Sequence, residues 1–327
     1  MVAAKRFSYA PEELFPDLYG IPLPLHDGSP VNAYVAVRGD GLWLIDGGLG
    51  TPHCQATLAA GLEALGYTLS DVRGLLITHG HTDHVGAAAT VVGHGGELLA
   101  HRLETTEGRQ LAFDPGWLVR NGLPSEASAG ARWRSFEWPE PTRVLEDGDR
   151  LRWGPLDLQV IWCPGHTPGL VCLFESQRRL LFTTDHVMRR APAPVSVRAD
   201  RDADPLSDYL ASVRKLAPLG VDTVLPGHGR PFGGLARRLA HIELEIQDQL
   251  DLILTGLASG PANAYELLVG AKHGLRDRRP VTEQYALSQL LARLRHLERL
   301  GAIVRVEDAE TIRYAKNPSP SRRGAGA

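Results

Sequence analysis

The stretch "GLLITHGHTDHVGAA", residues 74–88, puts three histidines and an aspartate within six positions at the end of an apolar run. The run reads as a buried strand, so the polar residues fall in the loop that leaves it. In an extended loop, side chains two apart point the same way, so His79 and His81 can grip one ion. Asp83 and His84, one step further, face a second position. Four such side chains do not close two metal sites. Three more candidates stand at the ends of later apolar strands: His166 in "CPGHTPG", Asp185 in "FTTDHV" and His228 in "LPGHG". Together the seven describe a cradle for a pair of cations. Imidazole and carboxylate suit zinc, and iron or manganese as well.

Around this stretch, from about residue 17 to 230, short apolar strands alternate with Gly/Pro turns and helices. Residues 31–37 and 41–48 read as strands, 57–66 as a helix ending at Gly66, and 95–101 as a strand. Residues 150–166 read as a hairpin running into a Pro-Gly turn, and "LVCLFES" with "RRLLFTTD" as another. Asp204 then caps a helix over 205–217, with Pro205 in its first turn. "LWLID" echoes "LLFTTD", and "LLITHGH" echoes "TVLPGHG". Two related halves, each delivering polar residues from strand ends, give two packed sheets with helices outside.

After residue 240 the texture becomes helical. Leucines 287, 290, 291, 294, 297 and 300 form a stripe between an N-cap at Thr282 and a C-cap at Gly301. "AIVRVEDAETIRYAK" follows as a hairpin, making the whole a winged-helix-like module. The expected organisation is a catalytic domain over 1–238, the helical module over 239–317 and a disordered tail over 318–327.

Bulk composition narrows the function. A net charge of -3 over 327 residues gives no reason to expect general nucleic-acid binding. Cys54, Cys163 and Cys172 make no disulfide framework and no C-x-x-C pair, which favours buried thiols and a cytoplasmic setting. "MVAAKRFSYAPEELF" lacks the apolar core of an export signal, and no stretch is apolar enough to span a membrane.

The motif H-x-H-x-D-H at 79–84, with His166, Asp185 and His228 following, resembles the metallo-β-lactamase superfamily over about residues 15–235. "PGHTPG", "TTDHV" and the appended module are most similar to its glyoxalase II-like and β-lactamase-like protein 2 branch. The resemblance implies an α/β fold, an αββα sandwich. It also implies that His79, His81 and His166 hold one ion, that Asp83, His84 and His228 hold the other, and that Asp185 bridges them. Thr184 stands where a glycine commonly precedes the bridging aspartate and should crowd that turn.

Two divalent ions sharing an oxygen make hydroxide available near neutral pH and stabilise the oxyanion that its attack creates. Asp83 and Asp185 are the residues expected to carry catalysis, Asp83 by orienting the hydroxide or taking its proton. Asp46 in "LIDGG" is expected to hydrogen-bond a ligand, or else to be an ordinary turn residue. His186 either serves a leaving group or points into the fold, His101 reads as structural, and His26 lies on a loop that could reach the site mouth. Phe113, Trp117, Trp133, Phe136 and Trp138, within 104–140, form either a substrate wall or core packing. Arg189 and Arg190 either meet an anionic substrate or are solvated.

The first functional reading is a hydrolase of small-molecule thioesters or related acyl esters, such as glutathione or coenzyme A conjugates, because a thiolate leaves without acid assistance. The second is a phosphodiesterase or endoribonuclease. Against it, residues 261–317 hold ten Lys/Arg and seven Asp/Glu, a net +3, which is a sparse stripe for a nucleic-acid binder. A β-lactamase role is not expected without an export signal. A third reading makes the helical module a DNA-binding or regulatory unit, with Gln289, Arg293, Arg295 and Arg299 reaching bases. The alternative is a module that shapes the cleft or forms a homodimer.

Overall fold

The computed structural model describes residues 8–26, 29–38, 41–104, 114–129, 138–154, 156–199, 203–270 and 282–318. Seven strands lie side by side in chain order: β1 (Glu12–Phe15), β2 (Leu18–Pro24), β3 (Pro30–Arg38), β4 (Gly41–Ile45), β5 (Val72–Leu76), β6 (Glu97–His101) and β7 (Arg143–Leu145). Neighbours are antiparallel as far as β4 and parallel from there to β7. A second sheet runs in the reverse of chain order, β12-β11-β10-β9-β8. Its strands are β8 (Arg150–Trp153), β9 (Leu156–Trp162), β10 (Val171–Glu175), β11 (Leu180–Thr184) and β12 (Thr223–Pro226), and only β11 and β12 run parallel.

Both faces of the first sheet are covered. Along β3, Val31, Ala33 and Val35 join Leu58 and Leu62 of helix α1 (Pro52–Ala64) and Val91 of helix α2 (Ala88–Gly93) in one core. Tyr34 and Ala36 point the other way, into a second core with Leu158, Val160, Leu173 and Phe182 of the facing sheet. The period-2 alternation of one strand thus fills two cores. Trp43 and Trp153 stack across the second core with centroids 4.7 Å apart. The first unit is therefore layered helix, sheet, sheet.

Two departures from the sequence reading have local causes. Helix α1 begins at Pro52, not residue 57, because Thr51 caps it by accepting from the Cys54 amide. Strand β2 escaped the sequence reading because Pro22 and Pro24 lie within it. They are tolerated because β1 pairs only with Leu18–Gly20, leaving the rest of β2 with β3 alone, where a missing donor breaks no ladder.

The chain forms two compact units that interleave: 1–110, 136–193 and 215–238 in the first, and 111–135, 194–214 and 239–327 in the second. The expected boundary at 238 marks only the last crossing. Residues 111–135 and 194–214, which belong to the second unit, carry α3 (Pro115–Arg120), α4 (Ser125–Ala129) and most of α5 (Pro205–Leu216). The second unit continues with α6 (Leu235–Gly256, entered at Leu239), α7 (Ala264–Gly270), α8 (Glu283–Arg299) and an antiparallel pair, β13 (Ile303–Glu307) and β14 (Ile312–Lys316).

Helix α8 has its expected caps. Thr282 accepts from the Tyr285 amide, and Gly301 adopts φ 69° just past the end. Leu287, Leu290, Leu291, Leu294 and Leu297 are buried, while Leu300 is exposed. Asp204 caps α5 through the Ser207 amide, and its other oxygen lies 2.9 Å from His296 Nδ1 of α8. Trp117 and Trp138 are both buried, which is packing, not an open wall. Phe113, Trp133, Phe136 and the tail beyond Pro318 lie outside the described residues. No described helix is long and apolar enough to cross a membrane.

Candidate metal centre

All seven expected ligands leave C-terminal strand ends of the first unit. His79, His81, Asp83 and His84 follow β5, His166 follows β9, Asp185 follows β11 and His228 follows β12. Their ligand atoms gather in two groups, each within 4.8 Å: His79, His81, His166 and Asp185 in one, Asp83, His84 and His228 in the other.

The first group converges on a point. His81 Nδ1 lies 3.0 Å from His79 Nε2 and 3.0 Å from His166 Nε2. A tetrahedral ion with bonds of about 2.0–2.1 Å sets ligand nitrogens roughly 3.3 Å apart, close to this spacing. In the second group, His228 Nε2 is 3.3 Å from Asp83 Oδ2, and His84 Nε2 is 3.7 Å from the same oxygen. Asp185 stands between the groups. Its Oδ2 is 3.7 Å from His166 Nε2 and 3.4 Å from His228 Nε2, while Oδ1 is 3.7 Å from His84 Nε2. Gly227 provides the room, since a Cβ there would strike Asp185 Oδ1.

Hydrogen bonds behind the ligands aim them. Asp46 lies 2.8 Å from His84 Nδ1 and accepts from the Thr78 amide and hydroxyl, so its carboxylate directs His84 Nε2 inward. The Thr78 hydroxyl also meets Thr184 Oγ1 at 2.8 Å. Thr184 does adopt a left-handed φ of 44°, costly for a β-branched residue, and this hydroxyl link offsets part of the strain. His228 Nδ1 donates to the Pro30 carbonyl at 3.2 Å. Asn32 and Tyr34 brace the same turn, both donating to the Pro226 carbonyl.

Among the seven candidate ligands, two buried atoms have no hydrogen-bond partner, His84 Nε2 and Asp185 Oδ1. Both belong to the groups just described, and leaving such atoms dry is expensive. The donor set fits a pair of divalent ions: neutral nitrogens and carboxylate oxygens, with the buried orphan atoms turned inward.

Charge reinforces that fit. Burial, with His84, His81 and His166 nearby, holds His79 well below the usual imidazole range. Burial opposes protonation of His84 too, but Asp46, Asp83 and Asp185 outweigh it and raise that imidazole to about 9. Asp185 and Asp83 likewise hold His228 well above its ordinary value against burial. A bound cation must displace these protons. Apparent metal affinity should therefore rise with pH from 6.5 toward about 9, with proton release at pH 7 measurable by calorimetry in two buffers of different protonation enthalpy. An affinity flat across that window would contradict this assignment.

The remaining candidates divide. His186 is fully buried, and burial together with His166 depresses it to about 3, so it points into the fold as a neutral ring. His101 is buried and stacks on the Trp162 ring at 5.4 Å. His26 is exposed beyond β2. Arg189 and Arg190 are exposed on a turn closed by a bridge between Val187 and Pro192. Arg230, which the sequence reading passed over, is exposed two residues after His228. Because β11 and β12 are parallel neighbours, the loops carrying these three arginines leave the same sheet edge. Thr78, Glu104, Asn32 and Tyr34 were also missed. Their types are common in turns and strands, and no local pattern marks them. The three cysteines are buried free thiols.

Comparison with known proteins agrees with this picture. Residues 26–228 match the family model described as the metallo-beta-lactamase superfamily. A "probable metallo-hydrolase YqjP" of Bacillus subtilis is 29% identical over 227 residues, 65% of this chain and 70% of its own length. The acyl-coenzyme A thioesterase MBLAC2 of Homo sapiens is 32% identical over 169 residues, 48% of this chain and 56% of its own. The hydroxyacylglutathione hydrolase GloC of Haemophilus influenzae is 30% identical over 167 residues, 49% of this chain and 69% of its own. A crystal structure of a metallo-beta-lactamase family protein from Thermus thermophilus superposes with TM-score 0.81 at 28% identity, covering 93% of this chain and 99% of that one.

Proposed function

Because this chain belongs to the metallo-beta-lactamase superfamily, and named hydrolases are among its relatives, we propose that it hydrolyses thioesters or related acyl esters of anionic thiols using two divalent metal ions. The single observation that carries the proposal is the meeting of seven ligand side chains in two adjoining groups with Asp185 directed at both. Bound there, two such ions supply a water acidic enough to be nucleophilic at neutral pH and a positive charge for the developing oxyanion. Zinc suits this imidazole and carboxylate set, with iron and manganese as alternatives.

The chain's own groups then have distinct tasks. Burial opposes ionisation of Asp83, but His84 and His228 hold its carboxyl well below the usual range, so it stays a proton acceptor. Asp46 keeps His84 oriented through Nδ1, and the Pro30 carbonyl does the same for His228. His186, neutral and buried, offers no cationic acid to a leaving group. A thiolate needs none, because the parent thiol ionises near pH 8.5. That asymmetry favours a thioester over a phosphodiester or an amide.

The exposed arginines support the anionic half of the proposal. Arg189, Arg190 and Arg230 rim the edge that carries Asp185 and His228, in a chain of net charge -3. Guanidinium pairs well with carboxylate and phosphate. Replacing all three by alanine should raise KM for coenzyme A or glutathione thioesters by about 10-fold or more while leaving kcat unchanged. An uncharged N-acetylcysteamine thioester should be unaffected. Equal losses on charged and uncharged thioesters would refute this role.

The nucleic-acid reading loses support from α8. Gln289 and Arg293, two of the four residues proposed to reach bases, are buried, and Arg293 donates to Gln249 Oε1 and to the Gln289 carbonyl. We therefore assign the winged-helix-like module a packing role, and the buried thiols suit a reducing cytoplasm. The deciding assay compares thioester, lactone and phosphodiester substrates with the zinc, iron and manganese forms. Thioester turnover should dominate; phosphodiester turnover above it would overturn the proposal.

A further inference from the structure

We infer that Glu104 is a positioning residue for the three-imidazole position: a buried carboxylate that holds the His79–His81 loop and the His166 loop at the separation a cation needs. The inference rests on the two-position reading above. Glu104 ends the 3-10 turn Arg102–Glu104 that follows β6, and it is 4% exposed. Its Oε2 accepts from the Gly80 amide at 2.8 Å. Its Oε1 accepts from Thr167 Oγ1 at 2.5 Å and from the Gly169 amide at 2.8 Å. Gly80 lies between His79 and His81, and Thr167 follows His166. One carboxylate is thus bonded to the residue next to every imidazole of the first group.

The approach is close enough to exclude side chains. A Cβ on Gly80 would lie 2.7 Å from Glu104 Oε2, and one on Gly169 would lie 2.7 Å from Glu104 Cγ. Besides one backbone bond, from the Val171 amide to the Thr78 carbonyl, these bonds tie the two loops together. The second group is aimed by other partners, Asp46 behind His84 and the Pro30 carbonyl behind His228. Each ion position therefore has a buried carboxylate behind it: Glu104 behind the first, and Asp46 in direct contact with His84 of the second while reaching His79 Nδ1 of the first only through the Thr78 hydroxyl. Partners that aim metal ligands are typically worth about 10–100-fold in affinity.

Cobalt(II) titration of the metal-free full chain, followed by absorption, tests this. The two positions differ in donors, three imidazoles against two imidazoles and a carboxylate, so their bands differ. Glu104→Gln keeps the size but turns an amide NH2 toward the loop donors. It should weaken the three-imidazole position by about 10–100-fold and leave the other within about twofold. Asp46→Asn should weaken the position that holds His84 more than the three-imidazole position, which it reaches only through Thr78. Thr167→Val, which removes one of the three bonds, should give a smaller loss at the same position, and Thr167→Ser should retain the affinity.

Wild-type affinity at both positions in Glu104→Gln, or equal losses at both positions, would overturn the inference. Should Glu104→Gln fail to fold, Thr167→Val decides alone, and unchanged affinity there overturns it. A wild-type chain that binds only one cobalt would refute the two-position reading instead. Glu104 would then stand or fall by whether that one ion is weakened.

Discussion

Asp185→Asn is expected to cut turnover by at least about 10³-fold while leaving the fold intact, because a cation's charge stabilisation is worth several kcal/mol and about 1.4 kcal/mol is tenfold. Its carboxylate oxygens approach His166, His84 and His228 alike, at 3.4–3.7 Å. Burial would favour its neutral form, yet His228 and His84 hold the carboxyl well below the usual range, so it enters the site ionised. Asparagine matches its shape but carries no charge and only one acceptor oxygen. Steady-state kinetics with elemental analysis read the outcome: turnover should fall together with metal content, and circular dichroism should be unchanged. A variant that keeps wild-type turnover would remove Asp185 from any bridging role.

Metal removal should have the largest effect on stability. Cations that bind only the folded chain add about 4 kcal/mol per site at a thousand times Kd. With roughly 2–4 °C per kcal/mol for a domain of this size, each site should raise Tm by roughly 8–16 °C. The physical source is the pocket itself. His84 Nε2 and Asp185 Oδ1 are buried without partners, and three imidazole nitrogens crowd to 3.0 Å. Treatment with a chelator should lower Tm and abolish hydrolysis, and returning about two equivalents of zinc should restore both. An unchanged Tm on chelation, with no metal found in the purified protein, would sink the hydrolase reading as a whole.

Much of the fold was legible because its signals are local. The apolar runs of β4, β5, β11 and β12, each ended by Asp or by a His-bearing turn, mark strand and exit loop without reference to the rest of the chain. The stripe and caps of α8 were equally plain. Strand β2 was not, because Pro22 and Pro24 look like breakers until the short reach of β1 makes them harmless. The interleaving of the two units was hidden too. Nothing local distinguishes helices that stay with the sheets, α1 and α2, from those that leave them, α3 and α4.

The candidate site divides along the same line. Seven candidate ligands could be picked out from the sequence because metal-seeking side chains cluster at strand ends, where the backbone alone decides which way they leave. Of their supports Asp46 alone was anticipated, and without its partner. Asp46 binds His84 across 38 positions, Glu104 binds Gly80 across 24 and Thr167 across 63, and Tyr34 binds Pro226 across 192. Which ordinary carboxylate, hydroxyl or carbonyl ends up behind a given imidazole depends on how distant strands come to lie side by side. The sequence by itself determined the ion-binding chemistry and the strands that deliver it. Only the tertiary structure decided which buried groups hold those ligands in aim, because hydrogen bonds between remote segments exist only once the sheets have packed.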